Sequence, residues 1–300
     1  KMTTRQLTVV ADGLHYLEAP RWHDGKLWFV DLYTKAVYSL GNDGKVNEVV
    51  KIKEQPSGLG WLPDGRMLVV SMKDRKVLRL EANGELVQHA DLWDLCEGHA
   101  NDMVVAHNGN AYVGNFGYDL MGGADHKDTG IVLVKPDGST QKVAEGLSFP
   151  NGMVITPDEK TLIVNELFGN RISKFAIHAD GTLGERQDFA SFGSLGDEPS
   201  VARRMEKATI KPDGLALDAE GAIWFADTVN QRAVRMAEGG EILETVDVAP
   251  ELVFAVALGG DDGKTLFMCV APDWEEANRK SENLGRMIST KVSVGHAGTP

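Results

Sequence analysis

One unit recurs six times along this chain: an apolar segment, a tight turn, a second strongly apolar strand, and a third strand after a polar bend. The turn residues are Gly25, Gly65, Gly109, Glu159, Gly221 and Gly263, spaced by 40, 44, 50, 62 and 42 positions. Apolar second strands follow each of them, at 27–30, 67–70, 111–113, 161–164, 223–226 and 265–268, and third strands read at 36–40, 77–80, 130–134, 171–175, 233–236 and 285–288. A unit of this size cannot cover its own apolar faces, so neighbours must stack, and a period near forty suits four-stranded propeller blades. The predicted fold is therefore all-β: a six-bladed β-propeller with four antiparallel strands per blade, as a single domain over 1–300. A helical reading fails because Gly, Pro and Asn interrupt the pattern about every ten residues. A β-sandwich matches the strand spacing but leaves the whole-unit period unexplained.

A propeller must close its ring. The run at 7–10 has no place in the first blade, so it is expected to form the outer strand of the sixth, beside 286–289, removing an exposed edge. Residues 1–6 read as an extension, with Lys1 ahead of Met2 expected to be foreign to the natural chain. Two insertions break the period, 117–129 within the third blade and about 191–211 within the fourth, and extra loop length on a regular scaffold tends to carry function.

Composition excludes several classes of function. The chain has 44 acidic against 31 basic residues, a formal charge of -13, which repels phosphate backbones and argues against nucleic-acid partners. No apolar run approaches the ~20 residues of a transmembrane helix, so no membrane association is expected. Two cysteines, Cys96 and Cys269, make neither a CxxC motif nor a disulfide framework and read as buried thiols in a reducing compartment. With no signal-peptide pattern at the start, the expected location is cytoplasmic, as monomer or dimer.

The residue ahead of each first strand is Glu18, Ser57, Asn101, Asn151, Asp213 and Phe254. Equivalent positions in a ring of blades lie at equivalent heights, so five oxygen-bearing side chains are expected at one mouth of the channel. Two carboxylates there without a cation would repel each other. The donors are all oxygens, the set of a hard cation: Ca²⁺ first, with Mg²⁺ and Mn²⁺ as alternatives and Zn²⁺ less suited. Taken singly, Pro150-Asn151-Gly152 and Pro212-Asp213-Gly214 are ordinary turn sequences; their shared register is what selects the cation. The second Asx series, Asp24-Gly25, Asp64-Gly65, Asn108-Gly109 and Asp262-Gly263, reads as hairpin turn alone.

Through Leu17-Glu18-Ala19-Pro20-Arg21-Trp22, Asn101-Asp102, Phe149-Pro150-Asn151-Gly152 and Pro212-Asp213-Gly214, the chain resembles the SMP-30/gluconolactonase/luciferin-regenerating enzyme family over nearly its whole length. The resemblance implies a six-bladed propeller with one divalent metal. It also implies Glu18, Asn151 and Asp213 as metal ligands, Asn101 as a substrate or metal-shell residue, and Asp213 as general base. One position departs. An arginine expected two residues before Asn101 is replaced by His99, and loss of a fixed guanidinium points to a lactone less sugar-like than gluconolactone. His99 reads either as a hydrogen-bonded wall residue or as a substrate-binding one. The insert Phe116-Gly117-Tyr118-Asp119-Leu120-Met121-Gly122-Gly123 reads either as a lid, with Tyr118 and Met121 on the substrate, or as a solvated loop. Trp22 and Trp61 read as core.

The chemistry expected is metal-dependent hydrolysis of a small-molecule lactone: the cation polarises the ester carbonyl, and a water deprotonated by Asp213 or by the metal itself attacks. No Gly-x-Ser-x-Gly elbow supports a serine hydrolase. The alternatives are another esterase, phosphotriesterase or lyase activity on the same metal scaffold, and a non-catalytic binding platform.

Overall fold

The computed structural model describes residues 5–298; Lys1, expected to be foreign, lies outside them. The strands form six four-stranded antiparallel sheets, the blades of a six-bladed β-propeller. Blade one runs Leu17–His23, Lys26–Asp31, Ala36–Leu40, Val46–Lys51, and blades two to five repeat this order from Pro56, Ala100, Pro150 and Pro212. Blade six is made of Leu252–Gly259, Thr265–Ala271 and Gly285–Lys291, with Thr8–Leu14 as its outer strand, Thr8 opposite Ser289 and Val9 opposite Ile288. Terminal closure of the sixth blade is thus as the sequence predicts.

The chain divides into two compact units, one of residues up to Ile52 with Asp213–Gly298, the other of Lys53–Pro212. In the first, Trp224, Val256, Leu266 and Ile288 fill the space between blades five and six, and Phe29, Ala257, Phe267 and Met287 that between blades six and one. In the second, Leu68, Val77, Met103 and Val113 join blades two and three, and Tyr112, Leu133, Met153 and Phe175 join three and four. Burial falls across each sheet. The second strands Met67–Ser71, Ala111–Asn115 and Ile223–Asp227 are buried throughout, whereas the outer strand Val46–Lys51 has no buried residue. The hairpin turns use positive φ at Gly25, Gly65, Gly109, Gly221 and Gly263, and at Glu159 where blade four lacks the glycine. Trp22 stacks on Phe267 at 6.0 Å, and a Cβ on Gly259 would meet its ring at 2.6 Å, so it is packed as core.

Three period breaks are present where the sequence shows two. Residues 192–211 lie after the last strand of blade four (Gln187–Ser191) rather than inside it, and carry helix α1 (Val201–Lys207) capped by the Ser200 hydroxyl. The third, 272–284 in blade six, carries α2 (Glu276–Ser281). It escapes detection because the repeat is measured at the hairpin turn, which lies before it.

Five second strands end on a buried polar residue: Asp31, Ser71, Asn115, Glu166 and Asp227. Asp31, fully buried, accepts the backbone N–H of His15 (2.8 Å), Tyr16 (3.2 Å), Tyr33 (3.0 Å) and Thr34 (3.3 Å). One carboxylate therefore satisfies the loop that enters the first strand and the loop that leaves the second. Truncation would leave four donors without it. Asp31→Ala is expected to lower unfolding free energy by about 3 kcal/mol or more, read by urea denaturation, while Asp43→Ala, which frees one N–H in an exposed turn, costs about 1 kcal/mol or less.

Candidate functional site

Glu18, Ser57, Asn101, Asn151 and Asp213 each occupy the second position of their first strand, which begins two residues earlier than the sequence reading places it. Pairing with the second strand skips just there. The ladder passes from Glu18 to Arg21, Pro56 to Leu59, Ala100 to Met103 and Pro150 to Met153, and in blade six from Val253 to Ala255, leaving out Phe254. Such bulges turn a side chain away from the pleat, which is how one register comes to present the same kind of group in several blades. Small residues follow. A Cβ on Gly58 would lie 2.8 Å from the Met103 nitrogen, and one on Gly214 2.5 Å from the Ala255 Cβ, so neighbouring first strands approach closely only because these are glycines.

In the first unit, Glu18 is half-buried and Asp213 buried. Both carboxylates act on the same two groups. Burial, with the negative charges of Glu18 and Asp213, pushes the Tyr16 hydroxyl and the Cys269 thiol well above their usual ranges. Tyr16 packs against Phe254, the apolar member of the register, at 4.4 Å between ring centroids. Sequence reasoning missed Tyr16; its only signal is its position two residues before Glu18.

In the second unit the register residues form a chain of hydrogen bonds. The Ser57 hydroxyl donates to the Asn101 carbonyl (2.7 Å), and the Asn101 Nδ2 donates to the Pro150 carbonyl (3.2 Å), which leaves the amide Oδ1 as its acceptor. Asn151 is buried in the next strand. Phe149, two residues before it, holds φ at +60°, a region costly for a bulky side chain at about 1–3 kcal/mol. Its ring is packed against Phe116 (4.6 Å) and Phe168 (4.9 Å), with Tyr118 edge-on at 6.3 Å. His99 is half-buried with its ring 5.5 Å from Phe116.

The 117–129 insertion divides in two. Tyr118 is buried, its hydroxyl 3.3 Å from the His126 Nδ1, whereas Met121 is half exposed at the tip. His126 reaches Asp128 through Nε2 at 2.9 Å, and the Ser148 hydroxyl donates to the same Asp128 oxygen at 2.7 Å. No sequence motif announces His126, Asp128 and Ser148, because their meeting depends on two loops crossing.

Among the described residues no three His, Cys, Asp or Glu side chains gather as a metal cluster, so a cation would need amide oxygens as well as carboxylates. By residue chemistry alone, Glu18 and Asp213 in the first unit are charged oxygen donors and Asn101 and Asn151 in the second are neutral ones, types that suit a hard cation. Cys96 and Cys269 are both free and buried, and no helix among the described residues is long and apolar enough to cross a membrane.

The hydrogen bond from His126, with that from Ser148, holds the Asp128 carboxyl down at about 2. A folded pKa below the unfolded one stabilises above about pH 4 and is lost as pH falls toward 2. Asp128→Asn should therefore lower the urea midpoint at pH 7, with the difference from wild type closing between about pH 4 and 2.

The chain is 24% identical over 257 residues to pentonolactonase XacC of Haloferax volcanii, covering 85% of this chain and 81% of the relative. It is 23% identical over 296 residues to 6-deoxy-6-sulfogluconolactonase of Pseudomonas putida, covering 94% and 93%. A crystal structure described as a calcium-binding protein, regucalcin, from Agrobacterium tumefaciens superposes with a TM-score of 0.79 at 20% identity, over 99% of this chain and 97% of that one, which is a likeness of fold. Residues 17–272 match the SMP-30/Gluconolactonase/LRE-like region, and the chain belongs to that family.

Proposed function

We propose that the protein is a lactonase that opens a cyclic ester with one divalent cation, Ca²⁺ in the first instance, held by Glu18, Asn151 and Asp213. The observation that carries this reading is the shared register, with Glu18, Asn101, Asn151 and Asp213 each at the second position of its first strand, and Glu18 and Asp213 both close enough to Tyr16 and Cys269 to raise their pKa values. Two like charges focused on one buried region favour a cation there. The relatives named as lactonases supply the reaction class.

A bound divalent cation supplies Lewis acidity toward the ester carbonyl and lowers the pKa of water. Asn101, its Nδ2 engaged with Pro150, offers Oδ1 to a substrate hydroxyl or to the cation shell. The Asp213 carboxylate accepts the proton of the attacking water and returns it to the leaving alkoxide, so that the product is a hydroxy acid. A carboxylate sharing a cation is a weak base, which suits an attacking water whose own pKa is lowered. The half-buried Tyr16 stays neutral across the physiological range and adds no charge beside the two carboxylates.

His99 standing in place of an arginine, with its ring against Phe116, favours a lactone carrying fewer hydroxyl or anionic groups than gluconolactone. Tyr118, buried and edge-on to Phe149, and Met121, exposed at the tip of the insert, are the residues of this loop proposed to contact that substrate.

Hydrolysis of a lactone panel decides the matter. Activity should vanish with a chelator and return with Ca²⁺, fall about 10²–10⁴-fold in Asp213→Asn, and be higher on alkyl or aryl lactones than on gluconolactone. Chelator-resistant hydrolysis, or an Asp213→Asn enzyme as active as wild type, would refute the reading. In chelated protein, removing one of two neighbouring negative charges should also make Asp213→Asn melt no lower than wild type, whereas excess Ca²⁺ should stabilise wild type alone.

A further inference from the structure

Two insertions that break the repeat, 117–129 and 192–211, meet at one hydroxyl. The Ser148 Oγ donates to the Asp128 Oδ1 at 2.7 Å and accepts from the Arg204 Nη2 at 3.2 Å. Arg204, on α1, is 3% exposed, a position that a guanidinium tolerates only when its N–H groups are matched. They are matched mostly by backbone: Nε donates to the Phe168 carbonyl (2.9 Å), and Nη1 to those of Gly196 (3.2 Å) and Glu198 (3.0 Å). The insertions are also joined directly, the His126 N–H donating to the Pro199 carbonyl at 2.8 Å.

Every backbone handle around Ser148 is taken as well. Its N–H donates to the fully buried Glu166 Oε1 (2.8 Å), its carbonyl accepts from Phe168 (3.3 Å), and the Phe149 carbonyl accepts from Leu167 (3.0 Å). The next residue is Phe149 at φ +60°, and Asn151 follows two positions later. A left-handed conformation at a bulky residue persists only where the surroundings over-determine it. Here the surroundings are a three-membered grip from Asp128, Arg204 and Glu166, each on a different segment.

We propose that Ser148, Asp128 and Arg204 are positioning residues: the two insertions clamp the chain just before Phe149, holding its strained backbone so that the Asn151 amide is set as a cation ligand. On this view the insertions act as braces for the site as well as walls around it. The inference rests on the assignment of Asn151 as a ligand, and the outer partners of a metal site are known to change affinity by about 10–100-fold when removed.

The test uses the full chain with Ca²⁺ alone as the probe. Amide hydrogen exchange at 149–153 and calorimetric Ca²⁺ affinity are measured for wild type, Ser148→Ala, Arg204→Met and Asn151→Ala. The control is Tyr112→Phe, which removes a buried hydrogen bond to the Gly181 carbonyl in the same unit without touching the clamp. The expected result is faster exchange and about tenfold weaker Ca²⁺ binding in both clamp variants, with neither change in Tyr112→Phe. Should Arg204→Met fail to fold, Arg204→Lys keeps the charge but loses the fork and is expected to show the same two changes. Unchanged exchange in Ser148→Ala overturns the clamp even if Asn151→Ala abolishes Ca²⁺ binding. Faster exchange with wild-type affinity overturns its link to the ligand, and equal losses in Tyr112→Phe reduce it to general stability. Ca²⁺ bound equally by wild type and Asn151→Ala refutes the ligand assignment itself, and the positioning role with it.

Discussion

A first strand buried on both faces must hydrogen-bond its backbone and still turn one polar side chain out of the ladder. The skip in pairing at its second residue reconciles these demands, and much else in the structure follows from it. At Ser57, Asn101 and Asn151 the ladder passes over the register residue and the one after it, and in blade one it passes over Ala19 and Pro20, directly after Glu18, which still pairs with Val30. Glycine at 58 and 214 then lets the neighbouring strand close in, where any Cβ would collide with backbone or with Ala255. In blade six the same skip presents Phe254, and Tyr16 packs on its ring.

Freed backbone groups need partners, and buried carboxylates and amides at the ends of second strands provide them. Asp31 caps the loop that leads to Glu18, and Glu166 caps the one that leads to Asn151. The fold and the candidate site are therefore stabilised by the same contacts. At Asp31, Asn115 and Glu166 the interior polar residue is neither surplus nor a misplaced surface group; it satisfies backbone N–H groups of the adjoining loops.

Much of this was legible in the chain. The six hairpin turns, the third strands at 36–40 and 171–175, and the terminal closure all follow from local pattern, because a β-hairpin is specified by its turn residues and the apolar runs beside them. The helical insertion at 272–284 was not legible, since α2 is a single short helix of polar sequence with no periodic signal. The fully buried Arg279 within it was equally hidden. Its guanidinium is drawn inside by Asp273 and Glu282, and the carbonyl of the same residue meets the His15 ring at 2.7 Å.

The sequence by itself determined the blade count, the strand order and the oxygen-bearing register, because period and residue type are local properties that survive in one dimension. Tertiary structure alone decided which of those residues act together. Glu18 and Asp213 are 195 positions apart, yet both bear on Tyr16 and Cys269. Asp128, Ser148 and Arg204 come from a loop, a strand entry and a helix, and converge only when two irregular insertions cross. Convergence of that kind depends on loop paths set by long-range hydrogen bonds, which leave no periodic trace in the chain.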